Sequence, residues 1–562
     1  MNASPPQAPS AEATAAAESI LGPNPIVGFR RRDLLETVRS VIADGARHPH
    51  RSAASLTGLA KAAVDIVRGR VSLQPGAKDR RFADPGWSEN FLYRRLLQLY
   101  LAAEAELDAW LGGTDLAEVD RERARFVLSL ALDAFAPSNL PVHPAAIKRF
   151  IETGGVSAVQ GMRQFLADVR ENGGLPRQVD PTAFEVGENL ATTRGAVVFR
   201  NEVLELIHYT PSTDQVRARP LVIVPPQINK YYVFDLAREK SLVRYAVDNG
   251  VGVFAVSWRN PTAEHRDWNL ATYLTALEEA IDVVCAISDS ADVNLTGACS
   301  GGITSVALAA YFAAKGVSRI NALTLMVSVF DTSEDRTLLG VFATEETLAA
   351  ARRRSHSQGV LDGRELGRVF SLLRPNDLIW SYWVNNYLLG KKPPAFDVLY
   401  WNNDSTRLPA AFHGELLDIY RDNSLVAPGA VSVGGLPIDL GKVNCDAFVL
   451  GGVTDHITPW DACYRSSLRL AGQVEFVLSN SGHIQSILNP PGNAKASYLL
   501  NTERPDSAKD WQAGATKLAG SWWPHWMEWL AQRSGELREA PGAPGNGTYP
   551  SLGPAPGSYV HG

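Results

Sequence analysis

The segment VNLTGACSGGITSVALAAYFAAKG, Val293 to Gly316, most limits how this chain can fold. A strand-like run ends in five small residues, Gly297-Ala298-Cys299-Ser300-Gly301, and a helical stretch follows at once. In a G-x-C-x-G turn between a strand and a helix, the central side chain is thrust outward. The small neighbours let the backbone pass closely. Cys299 stands at the apex and is the expected nucleophile. Ser300 lies one step on, so its side chain points off the apex, and its backbone N–H is the expected first oxyanion donor. The bland alternative for Cys299 is a small buried hydrophobe.

The turn sits in a region of alternating strands and helices. From about residue 195, AVVFRNEVLELIHYT reads as a hairpin, and RPLVIVPP, GVGVFAVSW, DVNLTGA, NALTLMVSVFD, CDAFVLGG and QVEFVLSN read as strands. Helical stretches such as TYLTALEEAIDVVCAIS separate several of them. That pattern implies an α/β fold, a mainly parallel sheet with helices on both faces. Between about 335 and 440 the strand signals fade into RPNDLIWSYWVNNYLLGKKPPAFDVLYWNNDSTRLP. An insertion there forms a helical cap over the carboxyl edge of the sheet, where ligands bind in open α/β folds.

Upstream the periodicity is helical, with Leu34, Leu35, Val38, Val41 and Ile42 on one face. The expected organisation is a disordered tail over 1–22, an all-helical domain over 23–195, a catalytic domain over 196–540 and a Pro/Gly-rich tail over 541–562. That last tail is expected to be ordered only by docking or by another chain. SWWPHWMEWLAQRS reads as a docked helix with a buried aromatic face; a surface for an apolar polymer or membrane is the sharper alternative.

A thiol nucleophile needs a base and an orienting acid, in the chain order nucleophile, acid, base. CDAFVLGGVTDHITPW presents Asp455 and His456 just past a strand, and VEFVLSNSGHIQSILNPPGN presents His483 just past the next. His483 is the expected base and Asp455 the acid. His456 is the alternative base, a structural residue or a substrate contact; hydrogen-bond reach to the thiol decides between them. The second oxyanion donor is expected from the loop in LVIVPPQINKYYVFDL, at the Ile228 N–H. A thioester on Cys299 is close in energy to an acyl-CoA thioester, and its later capture by an alcohol runs downhill. A cysteine apex therefore suits acyl transfer from thioester to hydroxyl.

The net charge of −6 gives no basic field for nucleic acid. The four cysteines form no CxxC pair, so no zinc ribbon, redox motif or disulfide is expected, and no metal or cofactor is called for. The N-terminus lacks the basic and apolar regions of a signal peptide, and GFRRRDLLETVRSVI is followed by no uncharged apolar segment. No apolar run reaches the length of a transmembrane segment. A reduced, cytoplasmic protein is the expectation.

These residues resemble a known family. GACSGG, VPPQINKYYVFDL, SWRNPT, RPNDLIWSYWVNNYLLG, YWNNDSTRLPAAFHG, GVTDHITPW and SNSGHIQSILNPPGN resemble the class II polyhydroxyalkanoate synthases, as do LGPNPIVGFRRRDLL, RRFADPGWSEN and FEVGENLATTRGAVVFRNEVLELI. The match runs from about residue 20 to YVHG at the C-terminus.

The resemblance implies a polymerase of (R)-3-hydroxyacyl-CoA, mainly medium-chain, that releases CoA and grows a polyester. It implies an α/β-hydrolase catalytic domain with a mobile cap after a helical N-terminal domain. It also implies a homodimer attached, with granule-associated proteins, to cytoplasmic storage granules. It maps the nucleophile to Cys299, the base to His483 and the acid to Asp455, and gives Asp455 a second task, activating the substrate hydroxyl. Asp133, in LALDAFAPSN, stands where relatives commonly carry glutamate. That position, with Ser328, Ser481 and Gln485, aligns with places tied to activity or chain-length preference. The competing readings are a thioesterase or depolymerase on the same fold, and a non-catalytic granule-binding protein.

Overall fold

The computed structural model describes residues 31–76, 79–333, 343–363 and 374–562. Its first part is helical: α1 (Arg31–Arg47), α2 (Pro49–Val67), α3 (Phe91–Gly112), α4 (Glu118–Ala134), α5 (Pro144–Glu152) and α6 (Val156–Glu171). Local chemistry sets their starts. The Asn90 side chain caps α3 by accepting from the Leu92 N–H at 2.9 Å, and prolines open α2 and α5. A small core of Phe82, Trp87, Leu97, Tyr100 and Ala136 holds the middle helices. The apolar face expected of α1 is not buried: Leu35 is 57% and Ile42 64% exposed, and Leu34's side chain lies outside the described residues. The periodicity marks the helix correctly, but too few of the described residues pack on that side to cover it.

The second part is built on an eleven-stranded sheet. In chain order its strands are β1 (Gly195–Arg200), β2 (Leu204–Tyr209), β3 (Leu221–Val224), β4 (Val253–Trp258), β5 (Val293–Ala298), β6 (Ile320–Met326), β7 (Asp446–Gly452), β8 (Val474–Ser479), β9 (Ser497–Leu500), β10 (Thr516–Ala519) and β11 (Gly553–Pro554). Their spatial order is β10-β9-β8-β7-β6-β5-β3-β4-β2-β1-β11. The six strands from β8 to β4 run parallel, and the flanking ones are antiparallel. Every residue of β3, β4 and β5 is buried, as strands covered on both faces must be.

The cap leaves the sheet between β6 and β7 and is mainly helical, with two short strand pairs. Residues 334–342 and 364–373 of the expected cap lie outside the described residues. Its segment 374–390 packs on α6, where a Cβ on Gly161 would come within 1.9 Å of the Tyr387 carbonyl oxygen. The Tyr387 hydroxyl donates to buried Asp168 at 2.8 Å.

The tryptophan-rich stretch forms α7 (Trp523–Ala531), with Trp522, Trp523, Trp526 and Trp529 buried, so the docked-helix reading holds. The Pro/Gly-rich tail docks on its own chain. It adds β11 to the edge of β1, and buried Glu205 accepts from the Ser558 and Tyr559 N–H groups, each at 2.8 Å.

Candidate active site

β5 ends at Ala298, and the helix Ser300–Lys315 begins one residue later. Cys299, between them, has φ +51° and ψ −124°, a strained conformation for a residue with a side chain. Glycines make the turn fit: a Cβ on Gly297 would meet Ser305 Oγ at 2.4 Å, and one on Gly301 the Val224 carbonyl oxygen at 2.4 Å.

β7 and β8 deliver the other groups to the same edge. His483 Nδ1 lies 2.7 Å from Asp455 Oδ2, and His483 is also in hydrogen-bond reach of the Cys299 thiol. Asp455 Oδ1 accepts from the Ile457 and Thr458 N–H groups at 2.8 and 3.0 Å, and Oδ2 also accepts from Thr458 Oγ1 at 2.7 Å. The Thr458 hydroxyl lies 3.1 Å from His483 Nδ1. Burial alone would push His483 towards the neutral form, but the Asp455 charge, its hydrogen bond and Cys299 outweigh it and push the pKa up to about 10. Burial likewise opposes charge on Asp455, and His483 and Thr458 reverse it, holding the carboxyl below its usual range.

His456 points elsewhere. Its Nδ1 lies 3.3 Å from an Arg374 guanidinium nitrogen of the cap, its Nε2 is buried without a partner, and burial and Arg374 push its pKa down to about 4. It lines no part of the pocket over Cys299. Of the two histidines, His483 is the one beside the thiol.

The Ser300 hydroxyl accepts from the Gln227 N–H at 3.2 Å and is buried, while the Ser300 and Ile228 N–H groups donate to no protein acceptor among the described residues. Both residues flank the apex, and Ile228 shares a narrow apolar pocket with Cys299, His483, Trp401, Ile457 and Ile484. Free space there is about 30 Å³, and Trp401 of the cap is part of its lining.

The other singled-out residues lie off this pocket. Ser328 is buried behind the turn, with its hydroxyl donating to the Met326 carbonyl at 2.9 Å. The Ser481 carbonyl accepts from the Thr454 N–H at 3.2 Å, and Gln485 is half-buried on the short helix begun by His483. Asp133 lies at the end of α4, bonded to Arg81 at 2.8 Å and to Asn376 of the cap at 2.9 Å. Thr458 and Trp401 were missed by sequence reasoning. For Thr458 a signal existed, because an aspartate often caps the N–H groups two and three residues on.

All four cysteines are free thiols. Among the described residues, one group, Asp44, His48 and Asp115, brings metal-ligand atoms together. It lies in the helical part, and Arg51 already pairs with both carboxylates, at 3.7 and 3.4 Å.

Comparison with known proteins identifies the family. Residues 78–246 match the family model of the poly-beta-hydroxybutyrate polymerase N-terminus, and residues 220–490 that of the alpha/beta hydrolase fold. The chain is 54% identical over 546 residues to poly(3-hydroxyalkanoate) polymerase 1 of Ectopseudomonas oleovorans, covering 97% of this chain and 98% of that one. It is 53% identical to polymerase 2 of the same organism, covering 96% of each chain. It is 41% identical to the polymerase subunit of Cupriavidus necator, covering 88% of this chain and 85% of that one.

Proposed function

The chain belongs to the poly(3-hydroxyalkanoate) polymerases, acyltransferases of the α/β-hydrolase fold, and from that premise we propose that it polymerises (R)-3-hydroxyacyl-CoA through an acyl group held on Cys299. The observation that carries this reading is the strained Cys299 apex in reach of His483, itself 2.7 Å from Asp455.

His483 takes the thiol proton, and the thiolate attacks the thioester carbonyl. The oxyanion rests on the N–H groups of Ser300 and Ile228. CoA leaves with the proton from His483, and Cys299 carries the acyl group as a thioester. The 3-hydroxyl of another unit then attacks that thioester, His483 takes its proton, an ester bond forms and the thiolate is released. Both oxygens of Asp455 are filled by protein donors, which supports an orienting role for it and leaves His483 as the base in both halves.

The small apolar pocket beneath Trp401 of the cap supports exclusion of water, which would otherwise hydrolyse the acyl-enzyme. Isoleucines at 457, 484 and 487 around the thiol support an alkyl-bearing, medium-chain monomer. Exposed Val156, Val159, Met162, Leu166 and Val169 along α6 support an apolar partner for the N-terminal part, consistent with dimerisation or attachment to cytoplasmic granules. No helix among the described residues is long and apolar enough to cross a membrane.

Incubation with (R)-3-hydroxydecanoyl-CoA tests the reading. The expected result is CoA release with insoluble polyester and none of either from Cys299→Ala. Free 3-hydroxydecanoic acid as the product would instead indicate a thioesterase or depolymerase, and no CoA release a non-catalytic granule protein. Polymer composition from a mixture of acyl-CoA lengths measures the monomer range.

A further inference from the structure

We propose that Thr406, in the cap, is a positioning residue that aims the Ile228 N–H at the developing oxyanion, so that the oxyanion hole is complete only when the cap is seated. The proposal rests on the roles given above to Cys299 and Ile228.

The loop that carries Ile228 has no regular structure of its own, yet Gln227, Ile228, Asn229 and Lys230 are all buried. Its geometry is therefore set by outside contacts. Thr406 grips two successive carbonyls: its hydroxyl donates to Gln227 O in a short contact, and its N–H donates to Ile228 O at 2.8 Å. The Gln227 carbonyl and the Ile228 N–H belong to one planar trans peptide, so they point in opposite directions. Holding the carbonyl against Thr406 turns the N–H away from the cap strand and leaves it free of protein acceptors.

The preceding peptide and the Gln227 side chain are held by the nucleophile helix. The Gln227 N–H donates to Ser300 Oγ at 3.2 Å, and Gln227 Nε2 donates to Thr304 Oγ1 at 2.9 Å. The Ser300 hydroxyl thus has a task apart from its backbone N–H. Neighbouring contacts bind the same two segments: Asn229 forms a bridge with Ser405, and Trp401 Nε1 donates to Lys230 O at 2.7 Å.

The His483–Asp455 contacts involve none of these groups. Lifting the segment 401–406 therefore dismantles the oxyanion donor and leaves the thiol–imidazole pair intact. Acyl transfer needs the seated cap; proton transfer from Cys299 to His483 does not.

The test compares two reactions of one thiol in the full-length protein. Acylation by (R)-3-hydroxydecanoyl-CoA, read as the first-turnover release of CoA, builds an oxyanion. Alkylation by iodoacetamide, read by mass spectrometry at Cys299, displaces iodide from a tetrahedral carbon and builds none. Thr406→Val is expected to slow acylation roughly 10- to 100-fold. It should leave alkylation within about twofold and the KM little changed, and Thr406→Ser should restore acylation to within about threefold, since it keeps the hydroxyl.

Unchanged acylation in Thr406→Val, equal slowing of both reactions, or no rescue by serine would overturn the proposal. Should Thr406→Val not fold, Ser300→Ala serves instead: it removes the acceptor of the Gln227 N–H and should slow acylation but not alkylation. Cys299→Ala tests the underlying reading separately, because it must lose both signals at that position.

Discussion

His483 Nδ1 and Asp455 Oδ2 meet at 2.7 Å with both side chains almost wholly shut off from solvent. The carboxylate accepts the Nδ1 proton, which leaves the other ring nitrogen to serve the thiol. It also supplies the charge that lets a buried imidazole hold a second proton.

Asp455→Asn removes that charge while keeping the shape. If Asp455 orients His483, acylation and elongation both fall, by roughly 10³- to 10⁴-fold as in other buried Asp–His pairs. If Asp455 itself accepted the substrate hydroxyl's proton, the variant would acylate normally and stall with the acyl group on Cys299. Single-turnover CoA release with mass spectrometry of the trapped enzyme separates these outcomes.

Stability is expected to fall in mild acid, in part through His208. This residue is buried, stacks on Phe254 at 4.1 Å and accepts from the Gly545 N–H at 3.0 Å. Burial pushes its pKa down to about 4, so the folded state keeps it neutral where the unfolded chain, near the usual 6.5, takes up a proton. Stability from this residue is complete above 6.5 and declines as the pH falls towards 4, by up to roughly 3 kcal/mol. His456 behaves alike. His208→Gln is therefore expected to roughly halve the loss that the two histidines cause between pH 7.5 and 4.5, read from urea midpoints.

Asp133 joins the helical domain to the cap, accepting from both Arg81 and Asn376. Asp133→Ala leaves Asn376 without that acceptor and Arg81 with one fewer. A stability loss of about 1–3 kcal/mol is expected, with faster proteolysis within 374–389. Iodoacetamide labelling of Cys299 should persist, because Asp133 touches none of the groups around the thiol.

Trp522 and Trp523 donate their indole N–H groups to the Ser486 and Ile487 carbonyls, at 2.7 and 3.1 Å, on the helix that begins with His483. Trp522→Phe is expected to cost about 1 kcal/mol and to lower kcat several-fold through His483. Trp526→Ala empties a buried site and is expected to cost about 3–5 kcal/mol, visible as a lower Tm. An exposed polymer-binding role for these tryptophans would instead leave Tm unchanged.

Much of the fold was legible because its signals are local. The β1–β2 hairpin, the β-branched runs of β3 to β8 and the helix after Cys299 all stand where the sequence patterns put them. Leu35, Val38 and Ile42 share one face of α1 and are exposed, because periodicity reports an amphipathic helix but not whether anything covers it.

The sequence by itself determined the strand–turn–helix around Cys299 and the placing of Asp455 and His483 just past neighbouring strands. Each depends on a few adjacent residues: glycines small enough for the turn, and strands whose ends must reach one edge of a parallel sheet. Only the tertiary structure decided between His456 and His483. The first adjoins Asp455 in the chain yet faces Arg374, while the second comes from the next strand to meet the carboxylate. It alone paired Thr406 with Gln227, 179 residues away, and Asn376 with Asp133, 243 residues away. Those contacts exist because the cap folds back over the sheet and onto the helical domain, and no local pattern of residues encodes which polar groups that closure brings together.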